Sequence, residues 1–249
     1  MSIHRTASQG YPRVAEAYER SRPGYPDDAI AWLAEAIGLA PGRTIVDLAA
    51  GTGKLTSSLA ATGARVVAVD PVPEMLVVLR CRVPSAEARE ATAETTGLPD
   101  DCADAVTVAQ AFHWFDGPAA LAEIDRILRP GGRLALLWNV RDLTHPTQRA
   151  VEKLLAPYRG TNPSHRSERW RRAFEGDAPF TSSRKRSFPN MPMLDAENLR
   201  ERIESTSFIA ALPSTELEQV RASVRDLTAT LPDRFPFPYT TEVEIFERR

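Results

Sequence analysis

Residues 44 to 54, Thr-Ile-Val-Asp-Leu-Ala-Ala-Gly-Thr-Gly-Lys, followed by Arg65-Val-Val-Ala-Val-Asp70, constrain the fold more than any other part of this chain. An apolar run ends in Asp47, breaks into a small-residue turn holding Gly51 and Gly53, enters a helical stretch, and gives way to a second apolar run ending in Asp70. The pattern predicts strand, tight turn, helix and strand, with a carboxylate at the C-terminal tip of the second strand. In a parallel sheet such tips line the ligand crevice, and an acid there accepts hydrogen bonds from ribose hydroxyls. The expected ligand therefore carries a nucleoside.

Spacing separates the nucleoside classes. A phosphate-cradling loop requires Gly-x-x-x-x-Gly-Lys-Ser/Thr, but Gly53-Lys54 is followed by Leu55, and Leu48 stands where the first glycine belongs. A dinucleotide fingerprint needs a third glycine for close helix packing, and that position is Thr56. What remains is an acid followed by small residues at alternate positions: Asp47, Ala49, Gly51 and Gly53. This resembles the first motif of the class I S-adenosylmethionine-dependent methyltransferases, Asp/Glu-x-Gly-x-Gly-x-Gly, with Ala49 in place of the first glycine. If that position needs a positive φ, its Cβ costs roughly 1–2 kcal/mol.

The resemblance covers roughly residues 11 to 140. Pro71-Val-Pro-Glu-Met75 stands where the family sets an apolar residue against the adenine, and Ala93 and Glu94 match the segment along the adenine edge. A fourth apolar strand runs through Gln110 into Ala111-Phe-His-Trp-Phe-Asp116, and Leu128-Arg-Pro-Gly-Gly132 ends a helix before the next strand. By this resemblance the cofactor is S-adenosylmethionine, held by Arg22, Asp47, Ala49, Gly51, Gly53, Asp70, Pro71, Met75, Ala93, Glu94 and Gln110. Arg22 suits the cofactor carboxylate through paired N–H donors. Tyr18 and Tyr25, in the segment that the family folds over its cofactor, and His113 and Trp114, past the fourth strand, are the expected substrate-binding residues. Tyr11 and Tyr18 share one helical face.

The alternation of elements predicts an α/β, doubly wound, mostly parallel sheet. Helices are expected at 12–20, 27–38, 53–62, 73–82 and 117–128, and strands at 43–48, 65–70, 86–91, 104–109 and 133–139. Tyr239–Phe246 alternates polar and apolar like a strand; with Lys185–Pro189 as its partner, the resemblance implies seven strands, Rossmann-like, ending in an antiparallel hairpin. The expected organisation is a single domain over 1–249. It comprises an N-terminal lid segment at 1–26, a cofactor-binding core at 27–140, a helical cap insertion at 141–183 and a C-terminal part of the core at 184–249. Residues 159–186 carry eight Lys or Arg against three acids and several aromatic side chains. Such a cap would favour an acidic or phenolic small molecule, although the same run also reads as a solvated basic face.

With 43% hydrophobic side chains in 249 residues and a net charge of −2, the chain can bury one substantial core and has no global pull on nucleic acid or an anionic membrane. No apolar stretch approaches the ~20 residues of a membrane helix and the N-terminus lacks an apolar signal core, so a cytoplasmic location is expected. Cys81 and Cys102 are read as buried packing residues, and four scattered histidines suggest no metal site. No motif fixes the acceptor atom or an oligomeric state.

The chemistry implied by the resemblance is modest. The methyl is already activated on a sulfonium, so the protein must hold a nucleophile in line at about 3 Å and exclude water. His113 is the expected base if the nucleophile is protonated; His145 and His165 are weaker candidates in the expected cap. Three other readings fit these residues: an S-adenosylmethionine-binding enzyme running a non-methylating reaction, an NAD-dependent oxidoreductase, and a binding module without turnover.

Overall fold

The computed structural model describes residues 19–160 and 163–249. Tyr11 and Tyr18 lie outside them. The chain divides into two compact units.

The larger unit comprises residues 24–139, 163–188 and 241–249. It begins with α1 (Asp27–Ile37), β1 (Thr44–Leu48), α2 (Lys54–Ala60), β2 (Arg65–Asp70), α3 (Pro73–Arg82), β3 (Glu87–Glu90), β4 (Ala103–Ala109), a 3-10 turn at Phe112–Trp114, α4 (Gly117–Ile127) and β5 (Leu128–Arg141). β6 (Phe180–Asn190) and β9 (Tyr239–Arg248) complete a seven-stranded sheet in the order β3-β2-β1-β4-β5-β9-β6. The first five strands run parallel, and β9 and β6 form the antiparallel C-terminal pair. Strand order reverses between β1 and β4, the switch point at which open α/β sheets bind ligands.

Side-chain alternation along the strands sets which face each helix covers. Ile45, Ala105, Ala135, Leu137, Val243 and Ile245 form one buried face under α1 and α2, which contribute Ala29, Leu33, Leu55 and Leu59. Ala68 packs with Leu76 and Leu79 of α3. β5 begins earlier than its expected start at Arg133: Leu128 already pairs with Ala103, and the register slips before Arg133 pairs with Ala105. Gly132 permits this slip, because a Cβ there would lie 2.9 Å from the Arg129 carbonyl oxygen and 3.1 Å from that of Asp104.

The basic run separates into parts with different work. Arg184, Lys185 and Arg186 stand on β6, an exposed sheet edge, where charge blocks edge-to-edge pairing with other chains. Lys185 pairs with Glu242 at 3.0 Å, and Arg184 donates to the Ala36 carbonyl at 2.7 Å. Residues 141–162 and 163–183, expected as one cap, fall into different units. Cys81 is exposed, correcting the expectation of burial: α3 turns Leu76 and Leu79 inward and leaves Cys81 and Val77 outside.

The smaller unit comprises residues 140–162 and 189–240 with the described residues 19–23. It holds α5 (Pro146–Arg159), β7 (Met193–Leu194), α6 (Ala196–Glu204), α7 (Ser207–Ala210), α8 (Ser214–Thr228) and β8 (Phe235–Pro236), with β7 and β8 forming a two-stranded antiparallel sheet. Its core is built on Val151, Leu155, Leu199, Ile203, Val220 and Phe237. No helix of the described residues is long and apolar enough to cross a membrane.

Candidate active site

The loop after β1 owes its shape to left-handed residues at alternate positions: Ala49 at φ 53°, Gly51 at 57° and Gly53 at 86°. Alternation of this kind turns backbone N–H groups into a concavity that receives negative charge. The occupant here is Asp70. Its Oδ2 accepts from Gly51 N at 2.8 Å and its Oδ1 from Val72 N at 2.9 Å. Gly53 is required twice over, since a Cβ would also meet Leu79 Cγ at 3.1 Å.

Ala49 carries the strain that the sequence made conditional. Replacing it with glycine is expected to stabilise the protein by roughly 0.5–1 kcal/mol: about 1–2 kcal/mol of left-handed strain is relieved, and about 0.4–1 kcal/mol is returned as unfolded-chain entropy. A thermal midpoint raised by about 1–4 °C is the expected reading. An unchanged or lower midpoint would mean that the Ala49 methyl contributes packing outweighing its strain.

Asp47 is buried, with Oδ2 accepting from Thr56 Oγ1 at 2.7 Å and Oδ1 from Thr107 Oγ1 at 2.8 Å. These bonds tie β1 to α2 and β4, so Asp47 fixes the loop from beneath. Burial pushes both carboxyls up to about 6, against hydrogen bonds that pull each down; the charge of Asp70 adds to the rise at Asp47. Met75 and Ala93 are buried, Pro71 is half-buried, and the Glu94 carboxylate accepts from Asp116 N at 3.0 Å.

Gln110, just past the tip of β4, is also left-handed, at φ 60°, and its N–H donates to the Leu137 carbonyl at 2.9 Å. Its Nε2 is buried with no partner among the described residues. Backbone strain and an unmet buried donor thus coincide at this strand tip.

Beyond Gln110 lies an aromatic cluster. His113 sits 4.9 Å from Trp114 and 5.4 Å from Trp138, ring centre to ring centre. Trp138 is 4.3 Å from His165 and 5.5 Å from Trp170, and Trp170 Nε1 donates to the His165 carbonyl at 3.1 Å. Arg171 lies 4.4 Å above the Trp170 ring and pairs with Glu244 at 3.0 Å. His113 Nδ1 and Trp138 Nε1 are buried and unpartnered among the described residues. Burial, with the neighbouring His165, pulls His113 down to about 3, so its imidazole is neutral at physiological pH.

The expected site residues thus occupy two units. Asp47 to Glu94, Gln110, His113, Trp114 and Tyr25 belong to the larger one, where Tyr25 packs against the apolar core beneath α1 and α2 and not in the aromatic cluster. Arg22 belongs to the smaller one, where it donates to Ser205 O and Thr206 Oγ1, both at 3.3 Å. His145 precedes α5 in that same unit. The sequence reading did not single out Trp138, and took Trp170 only as one of the aromatic side chains of the expected cap. No group of three or more His, Cys, Asp or Glu among the described residues is placed to hold a metal ion.

This geometry has close counterparts. A family model described as a methyltransferase domain matches residues 46–136. An uncharacterized methyltransferase-like protein of Schizosaccharomyces pombe is 39% identical over 216 residues, spanning 86% of this chain and 84% of its own. An uncharacterized methyltransferase of Mycobacterium tuberculosis is 38% identical over 242 residues, 95% of each chain. The chain belongs to the class I S-adenosylmethionine-dependent methyltransferases. A solved structure assigned as a type II methyltransferase from Anaeromyxobacter dehalogenans superposes with a TM-score of 0.64 at 26% identity, covering 91% of this chain and 96% of that one. The methyl donor of this family is S-adenosylmethionine, and the methyltransferase described here has the seven-stranded sheet and switch-point loop that the family's chemistry requires.

Proposed function

We propose that this methyltransferase transfers the methyl group of S-adenosylmethionine to a flat, phenolic small molecule. In this reading Asp70 takes the ribose hydroxyls, while Gly51, Gly53 and Ala49 shape the floor beneath the cofactor. Met75 and Ala93 offer apolar contact to the adenine, with Pro71 and Glu94 beside them. Asp47 acts as a positioning residue. The cofactor fits this chain because both Asp70 oxygens keep a free lone pair after accepting one backbone bond each.

The observation that carries the acceptor class is the stack of Trp138, His165 and Trp170 next to His113 and Trp114, with Trp138 Nε1 and His113 Nδ1 unmet. Trp138 and Trp170 are buried, and the half-buried His113 and Trp114 at their edge can meet a planar molecule face-on; an indole N–H can donate to its oxygen, and a neutral imidazole can accept its hydroxyl proton in a hydrogen bond. The depressed pKa recasts His113. A group titrating near 3 is a poor base for a phenol titrating near 10, so His113 orients the hydroxyl and does not carry its proton away.

Production of S-adenosylhomocysteine from labelled methyl donor, with planar phenols compared against aliphatic alcohols, tests this. Methyl transfer confined to phenols is expected; equal transfer to aliphatic alcohols, or to neither class, would contradict it. His113→Phe is expected to lower kcat less than about tenfold, the scale of one hydrogen bond, with cofactor affinity unchanged. A loss of ~10²-fold or more would restore the general-base role.

A further inference from the structure

The turn that carries His113 and Trp114 is held at both ends by groups that the acceptor reading does not use. At its front, Phe112 is 1% exposed, and its ring packs 6.0 Å from Trp170 and 5.2 Å from Phe174. The Trp114 and Phe115 N–H groups close the 3-10 turn on the Ala111 and Phe112 carbonyls at 2.8 and 3.2 Å. Asp116 follows with an extended backbone, and α4 starts immediately after it. The Asp116 N–H therefore serves neither element's ladder. Its partner is Glu94, whose Oε1 accepts it at 3.0 Å.

A separate clamp brings Glu94 to this join. Thr92 and Thr95 pair across a tight turn, and just beyond it Thr96 N and Oγ1 both donate to Glu123 Oε1, at 2.8 and 2.5 Å. Glu123 stands on α4 and is itself gripped by Arg126. This clamp fixes the 92–96 segment on the body of the helix without help from Glu94. The Glu94 bond adds something different: it fastens the join between turn and helix. The fit there is close, because a Cβ on Gly117 would lie 2.4 Å from the Ala173 Cβ of the 3-10 turn Arg169–Phe174. His113 and Trp114, half-buried between the Phe112 and Asp116 anchors, are thereby held in one orientation.

We infer that Glu94 is a positioning residue for the acceptor: its carboxylate fixes the Phe112–Asp116 turn, so that His113 and Trp114 meet the acceptor in a set geometry. The inference rests on the proposed methyl transfer to a phenol for what His113 and Trp114 do, and not for the hold on the turn. A carboxylate suits this task. Its bond to a backbone N–H is stronger than a neutral one, and negative charge is favoured beside a helix N-terminus.

Three variants of the full-length protein test it: Glu94→Ala; Glu94→Asp, whose carboxylate is one methylene short; and Glu94→Gln, whose amide oxygen can still accept. Hydrogen exchange at the Trp114–Asp116 amides is measured on protein saturated with S-adenosylhomocysteine. Calorimetry gives the Kd of S-adenosylhomocysteine and, on the saturated protein, that of umbelliferone as a planar phenol. Glu94→Ala is expected to exchange these amides severalfold faster and to raise the umbelliferone Kd about 3–10-fold, the scale of one hydrogen bond, with the S-adenosylhomocysteine Kd within about twofold of wild type. Glu94→Asp should match it, and decides the matter if Glu94→Ala does not fold. Glu94→Gln should return exchange and umbelliferone affinity most of the way to wild type. A general loss of stability would not separate the two Kd values in this way. Wild-type exchange in Glu94→Ala, or an S-adenosylhomocysteine Kd raised as much as that of umbelliferone, would overturn the inference; the second result would return Glu94 to the adenine. If umbelliferone does not bind the wild type, the phenol reading has failed, and exchange together with S-adenosylhomocysteine affinity still decides for or against Glu94.

Discussion

Replacing Asp70 with alanine is expected to weaken S-adenosylmethionine binding by roughly 1.5–3 kcal/mol, a rise in Kd of about 10–150-fold, because the ribose loses charge-assisted acceptors. The loss has a second component. Asp70 caps the Gly51 and Val72 N–H groups, and removing it leaves two donors without their partner, at about 1–3 kcal/mol each if water does not reach them. The variant should therefore also unfold at a lower temperature. Asp70→Asn, which retains one acceptor oxygen, should fall between alanine and wild type in affinity. Calorimetric affinity unchanged in Asp70→Ala would remove the carboxylate from the cofactor site, whatever happened to stability.

Acidity provides the second large effect. Asp47 and Asp70 each titrate at about 6 in the folded protein against 3.8 in the unfolded chain. The folded state thus holds protons that the unfolded state has released between pH 4 and 6. The stabilising contribution of each group is fully present below about pH 4 and lost as pH rises through 6; it amounts to roughly 2–3 kcal/mol per group, and less for the two together because they interact. Asp47→Asn removes the dependence at one of them. It should be more stable than wild type by about 1–2 kcal/mol at pH 8, with the advantage vanishing near pH 4. Denaturant titrations of both proteins at pH 8 and pH 5 provide the measurement, and equal stability at both values would contradict the burial argument. Cofactor binding runs the other way: ribose hydroxyls donate best to an ionised Asp70, so S-adenosylhomocysteine should bind more weakly at pH 5.5 than at pH 8 and release protons on binding in between.

The loop geometry of the proposed cofactor site was legible because it is local. Small residues at 49, 51 and 53 translate directly into positive φ, and the strand before Asp70 needs only its own apolar run. Gln110 was named only through the resemblance, and its strained backbone leaves no trace in residue type. Trp138 was hidden for a different reason. It lies in Leu134-Ala-Leu-Leu-Trp138, a continuous apolar run typical of a strand buried on both faces, so nothing in the run singles this ring out. The Trp138–His165–Trp170 stack and the Glu94–Asp116 bond each join segments far apart in sequence, and no spacing rule reports on them. The basic stretch misled by adjacency: composition merges Arg159 with Lys185, while the fold sends one to a helix of the smaller unit and the other to the sheet edge.

The central claim is that the adenosyl group lodges at the switch point with its sugar held by Asp70. A crystal structure of the protein with S-adenosylhomocysteine tests it most directly. The ribose hydroxyls are expected within ~2.9 Å of the Asp70 oxygens, which still accept from Gly51 and Val72. A ribose bound away from Asp70, with its hydroxyls on other groups, would contradict it.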